Sequence, residues 1–114
     1  MSRTGQADAT PLPLDVIREA IKGRRHLEFE YRGLPRVVEP MTLGIWEKGD
    51  WKGDWKLRAS QVGGLSATGK VGDGTPKLFN VALMSEVTLL ATTFAIPAGY
   101  EPGDKSFMRI DTEL

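Results

Sequence analysis

The residues best suited to chemistry lie between positions 55 and 70, where a strand-like stretch runs into a glycine-rich, basic loop. Alternate residues of this stretch are apolar and fall on one face of a strand; they are Trp55, Leu57 and Ala59. The residues between them are basic or polar; they are Lys56, Arg58 and Ser60. A row of cations beside glycine N–H groups is suited to holding an anion such as phosphate. The pattern therefore predicts a binding surface and not a catalytic one.

Part of this loop matches a nucleotide-binding motif. Residues 64–70 read Gly-Leu-Ser-Ala-Thr-Gly-Lys, which fits G-x-x-x-x-G-K and follows a predicted strand. Val71, however, stands where the motif needs a hydroxyl for magnesium, and residues 72–76 cannot begin the helix on which the phosphates would rest. We therefore reject nucleotide hydrolysis and keep a simple anion nest of glycine N–H groups.

Other combinations that carry catalysis or metal binding are weak in this chain. It has one histidine, His26, and no cysteine, so no metal-ligand set forms, and we interpret His26 as a surface residue. Glu28 and Glu30 share a strand face, but charges that alternate with apolar residues are typical of a solvated surface. The sequence thus predicts no enzyme, no cofactor and no metal site.

Three tryptophans interleave with lysines and offer a second kind of binding. The aromatic residues are Trp46, Trp51 and Trp55, and the cations are Lys48, Lys52 and Lys56. Such an array is suited to stacking the bases of a single strand, at roughly 1–3 kcal/mol per base. Packing within a hairpin is the alternative. We expect Trp55 to point inward, whereas exposure and packing are equally open for Trp51.

The composition bounds the class of protein. A chain of 114 residues is long enough for one modest core, so we expect one domain. Its 15 basic and 15 acidic residues cancel, so any attraction to nucleic acid has to come from local clustering. No secretory or membrane-spanning run occurs in the sequence, and we expect a cytoplasmic protein with no membrane partner.

The hydrophobic pattern predicts one helix followed by five short strands. The helix is expected over residues 13–22, because Leu14, Ile17 and Ile21 recur at helical spacing and Gly23 is suited to a C-cap. The strands are expected at residues 26–32, 36–46, 55–62, 77–82 and 86–92. Pro40 and Gly44 in the second strand indicate an edge or a bend.

These elements favour a mainly β fold with one N-terminal helix, a small antiparallel barrel of SH3-like or Sm-like type with about five strands. The domain is expected over residues 13–114, after a flexible leader at 1–12. A loop at 63–76 is expected to bind or to be disordered. The tail from residue 97 is expected to drape over the body, anchored by Tyr100 and Phe107. The expected core residues are Leu27, Phe29, Tyr31, Val38, Leu57, Ala59, Phe79, Val81, Val87 and Leu89.

The order of these elements resembles that of the WYL domain family, named for a Trp-Tyr-Leu run in its central strand. That run is here Trp-Lys-Leu at 55–57, followed by Arg-Ala. Residues 17–25 resemble the family's opening helix, and residues 29–33 and 36–40 its first hairpin. The loop of short, stand-alone members is matched by Gln-Val-Gly-Gly at 61–64 and Ser-Ala-Thr-Gly at 66–69. The resemblance spans residues 13–104.

The resemblance implies an Sm-like barrel that senses a nucleic acid or a nucleotide and adjusts a linked DNA-binding domain or defence effector. This chain departs from the family in two places. Residues 78–84, which correspond to the strand that supplies ligand-binding arginines, contain no arginine, and the tyrosine of the naming motif is Lys56. The sequence also contains no helix-turn-helix, so a regulatory role would need a partner protein.

The sequence therefore predicts a non-catalytic module that binds a nucleotide or a short single-stranded nucleic acid and acts in transcriptional or defence regulation. The predicted binding residues are Arg36, Trp51, Lys56, Arg58, Gln61, Gly64, Ser66, Lys70 and Lys77. The alternative is a protein-interaction or dimerisation module without a nucleic-acid ligand, whose glycine loop and strand edges pair with a regulatory protein or a second copy.

Overall fold

The computed structural model describes residues 12–64 and 76–114, so most of the predicted leader and most of the predicted loop lie outside them. Within them the protein is mainly β with one helix, as the sequence predicts. The elements are α1 (Leu14–Gly23), β1 (Arg25–Tyr31), β2 (Leu34–Trp46), β3 (Trp55–Gly64), β4 (Pro76–Asn80), β5 (Met84–Thr93) and β6 (Phe107–Glu113). Short 3-10 turns follow β2 (Gly49–Trp51) and β4 (Val81–Leu83). No helix of the described part is long and apolar enough to cross a membrane.

Helix α1 packs on the sheet through one apolar side. Its buried residues are Ile17, Ala20 and Ile21, which the helical period places together. The helix ends where Arg24 adopts a left-handed φ of 52° and its backbone N–H donates back to carbonyls of the last turn. The left-handed cap is therefore one residue later than the predicted Gly23.

All six strands form one antiparallel sheet in which β2 is the central element. The order is β4-β3-β2-β1-β5, and β6 pairs with β2 outside this path. The first part of β2 pairs with β1, with Val38 opposite Leu27. The last part pairs with β6, with Gly44 opposite Ile110, while β3 accompanies both parts on the other side. The expectation of five strands is wrong by one, because β6 was assigned to the tail.

The link between β4 and β5 forces the sheet to curl. These strands lie at opposite ends of the order, four strand spacings or about 19 Å apart in a flat sheet. Only the turn Val81–Leu83 joins them, and a chain of this length spans at most about 14 Å. The curl also lets the Asn80 backbone N–H donate to the Tyr31 hydroxyl at 3.0 Å, between strands that are not neighbours. Among the described residues no ladder joins β4 to β5, so the sheet is not closed into a barrel.

The core lies inside the curl, with α1 packed against it. Eight of the predicted core residues are buried; they are Leu27, Phe29, Tyr31, Val38, Leu57, Ala59, Phe79 and Val81. Val87 and Leu89 are half-buried and pack against this cluster. The rings of Phe29, Tyr31 and Phe79 meet edge to face at centroid distances of 5.1–6.3 Å, a geometry worth about 0.5–1.5 kcal/mol per pair beyond burial.

Residues 94–106 join β5 to β6, and we call them the strap. The strap packs against the face of the sheet that carries Arg58, to which Asp104 is bonded at 3.0 Å. Of the predicted anchors, Tyr100 is half-buried and Phe107 is buried at the start of β6. Beyond the strap, the Asp111 carboxylate of β6 accepts two hydrogen bonds from Arg18, one from Nε at 2.8 Å and one from Nη2 at 3.0 Å. The predicted draping tail is thus a strap followed by a strand that is tied to the helix.

Gly44 permits the close approach of β2 and β6, and its replacement provides a test of that pairing. A Cβ at this position would overlap the Arg109 carbonyl oxygen, which is backbone and cannot move aside. We expect Gly44→Ala to lower the free energy of unfolding by about 2 kcal/mol, in the range of overpacking. Gly23→Ala is the control, because its Cβ would make only ordinary contacts with the Arg25 side chain. Equal urea midpoints for the two variants would contradict the pairing.

Candidate ligand-binding site

Arg36 is the most unusual of the predicted binding residues, because its charge is inside the protein. The residue is 5% exposed, because it shares the inward face of β2 with Val38 and lies opposite the core residue Phe29 of β1. Its Nη1 donates to Gln61 Oε1 at 3.2 Å and its Nη2 to the Tyr31 carbonyl at 3.3 Å. Its Nε is buried and makes no hydrogen bond, and no carboxylate lies within ion-pair distance among the described residues.

Aromatic rings form the surroundings of this guanidinium. Its Cζ lies 5.5 Å from the Tyr31 ring centroid and 6.0 Å from that of Phe79. Burial lowers the pKa of Arg36, with Tyr31 acting against that shift and the nearby charge of Arg32 adding to it. The group remains a cation at neutral pH because an arginine starts from a very high pKa.

Gln61 and Gly64, two further predicted binding residues, complete this end of the sheet, and both lie beside Arg36. Gln61 is fully buried and also donates from Nε2 to the Gly63 carbonyl at 3.1 Å. Gly64 is paired with Arg36 and has a φ of +80°, where a Cβ would overlap the backbone of Pro35. Only glycine fits there. Two further predicted residues, Ser66 and Lys70, lie outside the described residues.

Trp51 and Lys56 form a second group near the other end of β3. The Lys56 ammonium lies 4.2 Å from the Trp51 ring centroid, and the indole is 51% exposed. Lys56 itself is only 5% exposed, so the prediction of an open basic row is wrong at this position. Burial lowers the pKa of Lys56, while the Asp54 carboxylate opposes the shift. Trp51 is thus an exposed ring supported from one side by a buried cation.

Arg58 is held by a carboxylate that the sequence did not point to. Its Nε donates to Asp104 Oδ2 at 3.0 Å, and its Cζ lies 5.7 Å from the Trp46 ring centroid. Burial acts to raise the pKa of Asp104, but the Ser106 backbone N–H and the Arg58 charge outweigh it and hold that pKa below its usual range. Asp104 therefore occupies the Nε of Arg58 and leaves its two terminal nitrogens without a hydrogen-bond partner among the described residues.

The predicted binding residues do not form one site. Arg36 pairs with Gly64 at one end of β3, and Lys56 lies eight positions earlier, which corresponds to as much as about 26 Å along a strand. Lys77 pairs with Ala59 and so projects from the core face, whereas Arg58 projects from the opposite face. A mononucleotide can contact Arg36 or Trp51 but not both.

His26 is half-buried and bonded, not a free surface residue as predicted. Its Nδ1 lies 2.9 Å from the Thr92 hydroxyl, and its Nε2 lies 3.3 Å from Glu39 Oε2. Thr92, His26 and Glu39 belong to the neighbouring strands β5, β1 and β2, so their contacts connect the side chains of three adjacent strands. No group of three or more metal-ligating side chains occurs in the described part of the chain.

The carboxylate at Glu30 faces a charge from the neighbouring strand. Glu86 of β5 raises the pKa of Glu30 above its ordinary value of 4.5, through repulsion and a shared hydrogen bond. Glu86 also has a left-handed φ of 52°, at a register shift between β1 and β5. The repulsion that raises the pKa of Glu30 thus comes from Glu86 on the neighbouring strand and not from Glu28 on its own strand.

Comparisons with protein-family models, with curated proteins and with solved structures found no significant match for this chain. The site is therefore interpreted from its own geometry.

The Glu30–Glu86 repulsion predicts a pH-dependent gain in stability for Glu30→Gln. A carboxyl group whose pKa is raised in the folded state makes its full contribution to stability below its ordinary pKa. That contribution is lost as the pH rises through the raised pKa. At pH 7 we therefore expect Glu30→Gln to unfold at higher urea than the natural chain, and at pH 4 this advantage should shrink. Glu28→Gln removes the same charge two residues away and is the control. An advantage of Glu30→Gln that is independent of pH would contradict this account.

Proposed function

We propose that this protein is a non-catalytic module that binds a nucleotide or a short single-stranded nucleic acid, with a phosphate at Arg36. The resemblance of the sequence to the WYL domain family favours such a ligand, and the curled antiparallel sheet with one N-terminal helix is compatible with a small β-rich fold. The observation that carries the proposal is the buried guanidinium of Arg36, with an unbonded Nε and no carboxylate partner among the described residues.

The energetics of a buried cation support this proposal. Removing an ion from water costs several kcal/mol in a real protein, even after relaxation. The contacts with Tyr31 and Phe79 return on the order of 2 kcal/mol when desolvated. An anion that binds the remaining N–H groups of Arg36 would offset the rest, and phosphate matches the planar guanidinium in geometry.

A short single-stranded oligonucleotide can make a second contact that a mononucleotide bound at Arg36 cannot reach. The exposed face of Trp51 is available for a base, and stacking is worth about 1–3 kcal/mol per base. Arg36 lies on the core face of the sheet, whereas Lys56, which supports Trp51, lies on the opposite face, so such an oligonucleotide would have to pass from one face to the other. The proposal therefore expects affinity to rise with strand length until both groups are occupied.

A protein partner is the second candidate, and the exposure of Trp51 favours it. Tryptophans that are exposed alone yet become buried on association dominate many protein interfaces. This candidate makes Trp51 essential and leaves Arg36 without a role. The two functions therefore differ in which residue carries the affinity.

Substitution of Arg36 separates these functions. We expect Arg36→Gln to weaken binding of AMP and of the oligonucleotide dT8 at least about tenfold, since one charged hydrogen-bonding partner is worth 1.5–3 kcal/mol. Calorimetric titration at low and at high salt would measure the change. Arg32→Gln is the matched control, because Arg32 is exposed and its Cζ lies 5.8 Å from the same Tyr31 ring.

Arg36→Met tests whether the arginine serves the fold instead. The Arg36→Met substitution loses two long hydrogen bonds, but it also removes the free-energy cost of burying an unpaired charge. Because these two effects oppose each other, we expect the variant's free energy of unfolding to lie within about 1 kcal/mol of that of the natural chain. A loss of about 3 kcal/mol would assign Arg36 a structural role. Equal ligand affinity of Arg36→Gln and the natural chain, or no binding of either probe at low salt, would overturn the proposed function.

A further inference from the structure

We infer that the cleft between the strap and the sheet is a second binding site, for a small organic carboxylate. The cleft has a volume of about 630 Å³, within the range of small-molecule sites. The sheet contributes Met41, Thr42 and Arg58 to its lining, and the polar residues that the strap contributes are Tyr100, Glu101, Asp104 and Lys105. It lies on the face opposite Arg36 and is independent of the proposed phosphate site.

The hydrogen-bonding groups around Arg58 favour an acceptor-rich ligand, whereas the exposed carboxylate of Glu101 on the strap disfavours an anion on its own side of the cleft. Both oxygens of Asp104 are occupied, one by Arg58 Nε and the other by the Ser106 backbone N–H. The two terminal nitrogens of Arg58 and the Lys105 ammonium have no partner among the described residues. An arginine presents five N–H donors, so most of the Arg58 fork remains for a ligand. A carboxylate fits this fork in a bidentate geometry.

Tyr100 supplies an independent sign that the cleft is incomplete. Its hydroxyl is buried and lies near Thr42 and the Leu114 backbone without a hydrogen bond of good geometry to either. Burial raises the pKa of Tyr100, so the phenol stays protonated and can donate. Buried hydroxyls normally have a partner, and a ligand oxygen would provide one.

Apolar groups beside these donors indicate that the ligand is organic. Met41 and Pro76 lie at the sheet side of the cleft and Pro102 at the strap side. A thioether is polarisable and adapts to aromatic or aliphatic groups. A carboxylate with an apolar body therefore matches the cleft better than an inorganic anion does.

The test is a titration of the isotope-labelled full chain with benzoate, followed by amide chemical shifts. We expect shifts at Thr42, Arg58 and residues 99–104, with a Kd of about 1 mM, as is usual for a ligand of this size. Benzamide has the same shape without the charge and should bind at least about tenfold more weakly. Inorganic phosphate should likewise produce smaller shifts.

Variants establish which residues carry the binding. Arg58→Gln should raise the Kd for benzoate about tenfold, and the exposed Lys105→Gln, which leaves the Asp104 pair intact, about threefold. Arg109→Gln and Arg36→Gln should leave it unchanged, since the first is exposed on β6 and the second belongs to the other site. Equal binding of benzamide and benzoate, shifts centred on Arg36, or unchanged affinity in both cleft variants would overturn the inference.

Discussion

The three-residue turn between β4 and β5 is the constraint on which the rest of the structure depends. It joins the two ends of the strand order, so the sheet has to curl before β5 can pair with β1. The curl brings Tyr31 against Phe79 and Asn80, which are far away in the ladder. It also encloses the core with few residues, since one short helix is enough to cover the open side. The same curl places the Arg36 guanidinium beside aromatic rings.

Most of the fold follows from local patterns in the sequence, with one omission. Helix α1, strand β1 and the first half of β2 have clear periodicity, because one face of each meets the core, whereas β3 alternates in residue type but is largely buried on both faces. In β6 only Phe107 and Thr112 are buried, five residues apart, and register shifts against β2 remove any alternation. A strand without period 2 cannot be recognised locally, and its partner is some 65 residues away in the chain, as the Gly44–Ile110 pair shows.

The candidate site was harder to predict than the fold, since its character depends on what covers each cation. Alternation marks Lys56 as exposed and places Arg36 on the inward face with Val38, and rings from other elements cover both cations. Trp51 is close enough in sequence to Lys56 for a turn to bring them together, and that proximity is the only local signal. The pairing of Asp104 with Arg58 depends on the course of the strap, across a separation of 46 residues. Residue type therefore selects candidates but does not determine their arrangement.

The edges of the curled sheet limit how the chain can associate. Strand β5 is ten residues long and has β1 as its strand partner among the described residues. Two register shifts interrupt that ladder, one beside Glu86 and one between Leu89 and Thr93. Bulges twist an edge and disfavour addition of another strand. At the opposite edge, β4 has five residues and begins with Pro76, which has no N–H to donate. These two edges therefore oppose strand pairing between copies, whereas β6, which pairs with β2 alone among the described residues, forms a third edge without these two features.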